Sequence, residues 1–374
     1  MTVLAARSHA RPTVHVDLAA VAANTRVFAA LVPGALMAVV KADGFGHGAE
    51  AVARTALANG ASWLGVTSLD EAFALRETGL RAPVLSWLNP VDADFDAAIL
   101  AGIDVAVPSE AHLRAVVAAG LGAHAAVRVH LHLDVGMSRD GAPPAQWDQL
   151  CLAAAAAQRA GAVQVVGVMG HLGHADVPGH PANATSRSVF GWGLGVARSV
   201  GLRPPLRHLA ATAATLTDRA AHHNLSRVGA GLIGIDPSRS TRLSPALSLS
   251  APVVGVRRVP AGATVGYGGA WQAERESTLA LLPLGYADGV PRAASGRAEV
   301  LLRGRRRLVV GLVSMDQVVV DLGDDHVELG EVATIFGPGH QGEPTAAEWA
   351  LWAGTIEHEI VTGIGPRVIR SVVR

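Results

Sequence analysis

The stretch ALMAVVKADGFGHGAEAVARTALANG, residues 35–60, sets the pattern on which the fold of this chain depends. A short apolar run is followed by a loop with three glycines and then by an alanine-rich segment with the periodicity of an amphipathic helix. A strand followed by such a helix is typical of the parallel βα unit. The same order recurs along the chain, and Lys41 stands where the first of these strands ends.

Seven further strand candidates, most of them followed by a helical segment, extend this pattern to residue 229. They are SWLGVT, APVLSWL, IDVAV, AAVRVHLHLD, VQVVGVMGHL, LRHLA and LSRVG. About eight strands alternating with helices over roughly 230 residues predict an α/β fold with an N-terminal (β/α)₈ barrel of the TIM type. Helical repeats would lack these valine-rich runs.

The alternation of strand and helix candidates ends after Gly234. Strand candidates now follow one another without helices between them, and only TAAEWALWAG indicates a short helix. These segments are ALSLSAPVVGVRRV, STLALLPL, AEVLLRGRRRLVVGLVS, QVVVDLG and EVATIFG. We therefore expect a disordered N-terminus at 1–12, a barrel at 13–244 and a mainly β C-terminal domain at 245–374.

Composition excludes several classes of function. The chain has 374 residues, and lysine plus arginine balances aspartate plus glutamate at 31 each, which gives no electrostatic case for nucleic acid or an anionic membrane. A single cysteine excludes an internal disulfide, and no apolar run reaches the ~18 residues of a membrane span. The start, MTVLAARSHARP, does not fit a secretory signal. We expect a cytoplasmic protein, and no pattern predicts a metal site.

Lys41 is placed for chemistry if the barrel is correct. Active sites of such barrels lie at the carboxyl ends of the strands, where Lys41 stands. Partial burial disfavours the charged form of an amine, and a neutral amine can form a Schiff base with an aldehyde. The structural alternative is a lysine that extends to water beside a DG turn.

Other strand ends also carry polar residues. Arg227 starts RVGAG, a glycine-bearing turn whose backbone N–H groups could hold a phosphate. Each such residue alone is more often structural than functional. The remaining ones are Arg139, His171, His174, His208 and Thr212. Lysine, arginine and a phosphate nest at the ends of several strands together suggest the phosphorylated aldehyde cofactor pyridoxal 5′-phosphate.

Several motifs resemble those of the alanine racemase family. AVVKADGFGHG is similar to VVKANAYGHG of the family, DVGMSRDG to DTGMxRxG, HLAATAATL to HLANSAATL, and SRVGAGLIG to VRPGIAxYG. VGYGGAW, LPLGYADGVPR, VSMDQVVVDLG and TIEHEIVTGIGPRV resemble segments of its β domain. The motifs keep the family order and span residues 13 to 370. The resemblance therefore covers nearly the whole chain.

The resemblance implies a two-base racemase. Lys41 would carry the cofactor as a Schiff base and serve as one acid/base, and Tyr267 of the partner subunit would be the other. Racemisation requires this arrangement, because one base removes the α-proton and the other returns it on the opposite face. A homodimer with shared active sites acting on a small amino acid is thus implied.

The resemblance also assigns supporting roles. Arg227 would face the pyridine nitrogen and keep it unprotonated, since an arginine does not readily give up a proton. His208 would orient Arg227. The remaining assignments are His171 near the cofactor ring, Thr212, Gly229, Ala230 and His358 at the phosphate, Arg139 and Met315 at the substrate carboxylate, and Tyr286 of the partner subunit at the entrance.

The chain departs from the family pattern around the cofactor. Where the family has tyrosine, this chain has Phe45, Ile233 and His358, and where the family has an often carbamylated lysine it has His132. Ala211 and Thr212 stand for asparagine and serine. We expect weaker retention of the cofactor, and we expect Arg139 to be positioned by His132 itself, by an anion or by water.

Three interpretations follow. The chain is an alanine racemase whose cofactor site has drifted, or it is a racemase for a different or broader set of amino acids. The third is a pyridoxal phosphate-binding protein without catalysis, which the presence of Lys41 and Tyr267 and the β domain disfavour. Decarboxylases of similar architecture are a further alternative, but their motifs do not match.

Overall fold

The computed structural model of the chain describes residues 11–373. The expected disorder at 1–12 therefore falls, except for Arg11 and Pro12, outside the described residues. The chain forms two compact units, one made of Val21–Leu243 and the other of Ser244–Arg374 together with the N-terminal segment up to Ala20. The described chain begins with β1 (Thr13–Asp17) and α1 (Leu18–Leu31).

The first unit contains the predicted barrel of eight parallel strands. Neighbouring strands follow the chain order from the first to the seventh, and the first barrel strand also pairs in parallel with the last, so the sheet is nearly closed. The strands are β2 (Ala35–Val39), β3 (Trp63–Val66), β4 (Val84–Ser86), β5 (Ile103–Val107), β6 (Val127–His132), β7 (Val163–Met169), β8 (Leu206–His208) and β9 (Leu225–Val228). The barrel is thus confirmed.

Helices connect successive strands of the barrel. They are α2 (Lys41–Gly46), α3 (Ala49–Ala58), α4 (Leu69–Glu77), α5 (Phe95–Leu100), α6 (Glu110–Gly122), α7 (Pro144–Arg159), α8 (Pro181–Ser199) and α9 (Thr212–Thr217). At the starts of α4, α5, α6 and α8, a side chain satisfies a backbone N–H group that has no partner within the helix. Ser68 accepts from the Glu71 N–H at 3.2 Å, and Asp94 accepts from the Ala97 N–H at 2.8 Å.

Trp147 joins two of the outer helices. Its side chain on α7 is fully buried, and the indole Nε1 donates a hydrogen bond of 2.9 Å to the carbonyl of Gly193 on α8. A Cβ atom at position 193 would lie 2.4 Å from Cδ2 of Leu133, so glycine is required for this close approach. The core of the barrel therefore continues outward through Leu133 and Trp147.

The second unit contains a nine-stranded sheet. Its strands are β1, β10 (Leu247–Pro252), β11 (Gly255–Val259), β14 (Ser277–Leu282), β15 (Glu299–Leu302), β16 (Arg305–Val310), β17 (Val318–Gly323), β18 (Val332–Phe336) and β19 (Ile369–Val373). A separate two-stranded ladder joins β12 (Thr264–Val265) and β13 (Trp271–Gln272). The sheet order is β11-β14-β17-β16-β15-β18-β10-β1-β19. A mainly β C-terminal domain is confirmed.

The N-terminal strand differs from the division expected from the sequence. β1 pairs antiparallel with β10 and parallel with β19, so residues 13–17 belong to the β unit and not to the barrel. The segment TVHVD alternates polar and apolar residues, which is typical of a sheet with one buried face, and its pairing partners place it in the β unit.

Two α-helices interrupt the strands of the β unit between residues 244 and 373. The expected helix is α10 (Ala346–Ala353), which starts with reciprocal hydrogen bonds between Thr345 and Glu348. A second helix, α11 (Glu357–Thr362), lies in a segment where we expected none. Within residues 11–373, no helix is both long and apolar enough to cross a membrane.

We expect Trp147→Ala to lower the free energy of unfolding by about 3–5 kcal/mol, because a large buried side chain and its hydrogen bond are lost together. Leu152→Ala on the same helix is the matched control, since Leu152 is mostly exposed and its loss changes stability by about 0.5 kcal/mol or less. Denaturant titration measures both values. Equal effects of the two substitutions would contradict the packing described for α7.

Candidate active site

The turn after β2 has an unusual backbone. Ala42, Asp43, Gly44 and Phe45 have φ angles of 52°, 53°, 61° and 57°, which is a left-handed helical turn. The left-handed conformation raises the free energy of each non-glycine residue by about 1–2 kcal/mol. Two carboxylates hold the turn in place. Glu71, from outside the turn, accepts from the Ala42 N–H at 2.7 Å, and Asp43, within it, accepts from the Ala49 N–H at 2.8 Å.

Ser68 and Glu71 stand three residues apart at the start of α4, which is the spacing of a capping box. Ser68 caps α4, and the Glu71 carboxylate also accepts from the backbone and the hydroxyl of Thr67, at 2.8 Å each, and from the Ala42 N–H. These hydrogen bonds outweigh burial and lower the pKa of Glu71. Helix α4 thus supports the backbone next to Lys41.

Lys41 is half-buried at the carboxyl end of β2. Burial lowers the pKa of its amine, the charge of Arg139 lowers it further, and Glu71 opposes the shift. Lys41 is also the only lysine in the chain, so every other residue in the combined lysine and arginine count of 31 is an arginine. An amine, unlike a guanidinium, can form a Schiff base, which gives a chemical reason for this one lysine.

Arg227 is buried inside the barrel and is 5% exposed. Its Nη1 donates to the carbonyl of His208 at 2.8 Å and to His208 Nδ1 at 3.0 Å, and its Nη2 donates to the carbonyl of Gly170 at 2.7 Å. Burial lowers the pKa of Arg227 to about 10, so the group remains protonated at neutral pH. His208 therefore contacts Arg227 as the resemblance implied.

His171 lies on the other side of the same guanidinium, with Nδ1 at 3.4 Å from Arg227 Nη2. Burial first, and then the positive charges of Arg227 and Arg139, lower the pKa of His171 to about 3. The imidazole is neutral at physiological pH. His174, by contrast, stacks on His180 with ring centroids 4.3 Å apart.

The sequence reasoning missed two residues behind His208. His208 Nε2 lies 2.8 Å from Nδ1 of His130 on β6, and His130 Nε2 lies 3.2 Å from Asp104 on β5. Both residues are buried. The available signal was the polar side chains at every second position in RVHLH, residues 128–132, inside an otherwise apolar strand.

The turn after β9 contains the groups expected to hold a phosphate. The Thr212 hydroxyl accepts from the Gly229 N–H at 3.4 Å and from the Gly231 N–H at 3.2 Å, and Ala230 begins a short 3₁₀ turn, Ala230–Ile233. A Cβ atom on Gly229 would lie 2.6 Å from Cζ of Phe45. The ring of Phe45 thus packs directly on this turn.

His132 and Arg139 occupy the segment where the family has its carbamylated lysine and arginine. His132 is buried, with Nδ1 3.4 Å from Asp140 Oδ2, and it lowers the pKa of that carboxyl, which burial would otherwise raise. Asp140 follows the exposed Arg139 directly in the chain. The Asp140 carboxylate therefore lies beside His132 and is adjacent to Arg139 in the sequence.

The β unit carries the remaining predicted residues. Tyr267 is 71% exposed in a short turn with Gly268 and Gly269, and His358 lies on α11. The structure brings Tyr286 and Met315 together, since the Tyr286 N–H donates to the Ser314 carbonyl at 3.0 Å and the next N–H donates to the Met315 carbonyl at 3.0 Å. Both side chains are exposed.

Known proteins resemble this chain over nearly its full length. The family model for the alanine racemase N-terminal domain matches residues 16–237, and that for the C-terminal domain matches residues 246–372. Alanine racemase of Salinispora tropica is 49% identical over 354 residues, which is 94% of this chain and 95% of the relative. These shares leave little of either chain without a counterpart.

Solved structures agree with this result. Alanine racemase from D-cycloserine-producing Streptomyces lavendulae superposes with a TM-score of 0.95 at 43% identity, over 98% of this chain and 97% of that chain. Alanine racemase from Bartonella henselae, solved with covalently bound pyridoxal phosphate, has a TM-score of 0.88 at 25% identity, over 97% and 100% of the two chains. The chain belongs to the alanine racemase family, a family of isomerases.

Proposed function

We propose that this chain interconverts L- and D-alanine by a two-base mechanism, with pyridoxal 5′-phosphate attached to Lys41. The observation that carries the proposal is the only lysine of the chain, placed at a barrel strand end with a lowered amine pKa. Neutral amine is the form that reacts with an aldehyde, and the lowered pKa raises its share at a given pH.

The residues of the barrel unit fit this cofactor. Backbone N–H groups of Gly229 and Gly231 converge on the Thr212 hydroxyl, and the absence of a Cβ on either glycine lets the rings of Phe45 and Phe28 pack against this turn. The positive charges of Lys41, Arg139 and Arg227 each lower the pKa of His171, so all three lie near the same ring. A site of this charge suits a phosphate and a substrate carboxylate.

When bound, the cofactor withdraws electrons from the substrate α-carbon and so acidifies its proton. In the proposed mechanism, Lys41 Nζ takes or returns the proton on one face and the phenol oxygen of Tyr267 does so on the other. Tyr267 comes from the partner subunit of a head-to-tail homodimer. Its high exposure in the β unit leaves its side chain accessible to another chain.

Arg227 and His171 are proposed to set the charge near the cofactor ring. Arg227 stays protonated, since even with burial its pKa is about 10, and it can offer an N–H but accept no proton. His171 stays neutral, with a pKa of about 3. With the cofactor bound, Arg227 would offer an N–H and no proton to the ring nitrogen, which would weaken the cofactor as an electron sink and limit transamination.

Substrate binding is proposed for Arg139, the Met315 backbone and Tyr286 of the partner subunit, and His358 is proposed to contact the phosphate. The Asp140 carboxylate, held beside His132, is the anion that we expect to position Arg139. A cytoplasmic location remains a prediction from the sequence.

A panel of amino acids tests the proposed function. We incubate the protein and pyridoxal phosphate with single L-amino acids in D₂O and follow loss of the α-proton by NMR and chirality by chiral chromatography. Alanine should exchange and racemise fastest. If another amino acid does so, Phe45 and His358 become candidates for altered specificity. If none exchanges, the proposal fails.

Two variants control this experiment. Lys41→Arg keeps a positive charge but removes the amine, and we expect no turnover. Tyr267→Phe removes only the phenol oxygen, and we expect racemisation to fall at least about 100-fold, within the range for loss of a general acid or base. Full activity of either variant would contradict the two-base assignment.

Phe45→Tyr should strengthen cofactor retention. The ring of Phe45 contacts the Gly229 turn, so a hydroxyl on this ring adds a hydrogen-bond donor near the proposed phosphate site. One added hydrogen bond of about 1 kcal/mol corresponds to a roughly fivefold lower dissociation constant. Equilibrium dialysis measures it, with Phe45→Leu as a variant that adds no donor. Equal retention by Phe45→Tyr and wild type would contradict the proposed location of the phosphate.

A further inference from the structure

A continuous chain of polar side chains crosses the interior of the barrel behind Arg227. Arg227 Nη1 lies 3.0 Å from His208 Nδ1, His208 Nε2 lies 2.8 Å from His130 Nδ1, and His130 Nε2 lies 3.2 Å from Asp104 Oδ2. Arg128 closes the chain, with Nε and Nη2 at 2.7 Å and 3.1 Å from the two oxygens of Asp104. We name these five residues the interior chain.

The donors and acceptors of the interior chain fix its protons. A guanidinium can only donate, so Nδ1 of His208 must accept from Arg227 and its proton must lie on Nε2. His208 then donates to Nδ1 of His130, which places the proton of His130 on Nε2 as well. His130 Nε2–H donates to the Asp104 carboxylate, and each of these hydrogen bonds is made with both imidazoles neutral.

Burial keeps the two imidazoles neutral. Both histidines are fully buried, and burial is the largest cause that lowers the pKa of each. The positive charge of Arg227 lowers the pKa of both further, and the hydrogen bond to Asp104 opposes the shift at His130 without reversing it. The only full negative charge of the interior chain is therefore Asp104.

The fold makes room for His130 specifically. A Cβ atom at Gly167 on the neighbouring strand β7 would lie 2.1 Å from His130 Nδ1, so only glycine fits there. The register between β6 and β7 shifts between Val129 and His130. Trp63 packs edge-on against the same imidazole, with ring centroids 5.8 Å apart. Three local features thus accommodate one buried polar ring.

We propose that Asp104 is a positioning residue for Arg227, acting through His130 and His208. Its carboxylate accepts from His130 and thereby sets the proton of each histidine on Nε2, which leaves the lone pair of His208 Nδ1 facing Arg227. With the opposite proton placement, His208 would direct an N–H at the guanidinium, and two donors would face each other. The catalytic consequence rests on the proposed function, whereas the proton placement does not.

Histidine NMR tests the proton placement directly. The protein is labelled with ¹⁵N in its 16 histidines, and the imidazole signals of His130 and His208 are assigned from His130→Gln and His208→Gln variants. We expect both rings to be neutral with the proton on Nε2, with or without added cofactor. A proton on Nδ1 of either ring, or a charged ring at neutral pH, would overturn the proposal.

Matched substitutions at His130 separate hydrogen bonding from packing. Glutamine can accept from His208 and donate to Asp104, as His130 does, while leucine has a similar size and does neither. We expect His130→Leu to lower kcat by about 10- to 100-fold, the range for loss of a hydrogen bond to a charged group, with little change in KM. His130→Gln should retain most of the activity. Equal losses in the two variants would show a packing role only.

Substitutions at Asp104, the next residue of the interior chain after His130, allow the same comparison of hydrogen bonding with packing. Asp104→Asn can still present an oxygen to His130, whereas Asp104→Leu cannot, so we expect the kcat loss in the second variant alone. Asp236→Asn is the control for loss of a buried aspartate in the same unit, because among residues 11–373 the hydrogen bonds of Asp236 go to its own loop at residues 238–241. It should leave kcat and the histidine signals unchanged. Loss of kcat in this control would contradict the specific role of Asp104.

The two proposals fail in different ways. If the wild-type protein with pyridoxal phosphate racemises no amino acid, the proposed function fails, and the NMR experiment still decides the proton placement. If racemisation is observed but both His130 variants turn over at the wild-type rate, the positioning role of Asp104 fails and the proposed function stands.

Discussion

The buried guanidinium of Arg227 is the constraint on which the rest of the barrel interior depends. A charge removed from water destabilises the fold unless acceptors surround it, and here backbone carbonyls of Gly170 and His208 take that role. The imidazoles of His171 and His208 can lie against this charge only while neutral. The charge of Arg227 therefore determines which carbonyls and which neutral imidazoles can surround it.

The surroundings of Lys41 also control whether its side chain is charged. Its surroundings disfavour the ammonium form through burial and through the charge of Arg139, while the turn that follows it is held in a left-handed conformation by Glu71 and Asp43. Strained backbone of this kind persists only where neighbouring groups fix it, and it often accompanies a functional site. The hydrogen bonds of the turn thus stabilise a conformation that the local sequence alone disfavours.

The departures from the family pattern concentrate on polar groups of the candidate site, while Lys41, Arg139 and Arg227 are retained. Phe45 keeps an aromatic ring against the Gly229 turn and loses only a hydroxyl. His132 replaces a lysine, and a carboxylate, Asp140, lies beside it. The family membership of the chain and the retained Lys41 and Tyr267 are consistent with a working racemase in which individual hydrogen bonds have changed.

The barrel was predictable because its strands and helices follow each other in sequence, so periodicity alone identifies them. The contact between Arg227 and His208 was implied by resemblance to the family. Interactions between distant segments were not readable: β1 pairs with strands more than 200 residues away, and Glu71 reaches Ala42 instead of only capping its own helix. In the sequence, Asp104 and His130 are polar residues within apolar strands, and the contact between them is visible only in the folded barrel.

Reduction with borohydride tests the central assignment most directly. The protein is incubated with pyridoxal phosphate, reduced, digested and analysed by mass spectrometry, and Lys41 is the only lysine that can be labelled. The account predicts one phosphopyridoxyl group per chain, located on the peptide that contains Lys41. Absence of the label, or a label only on the N-terminal amine, would contradict it.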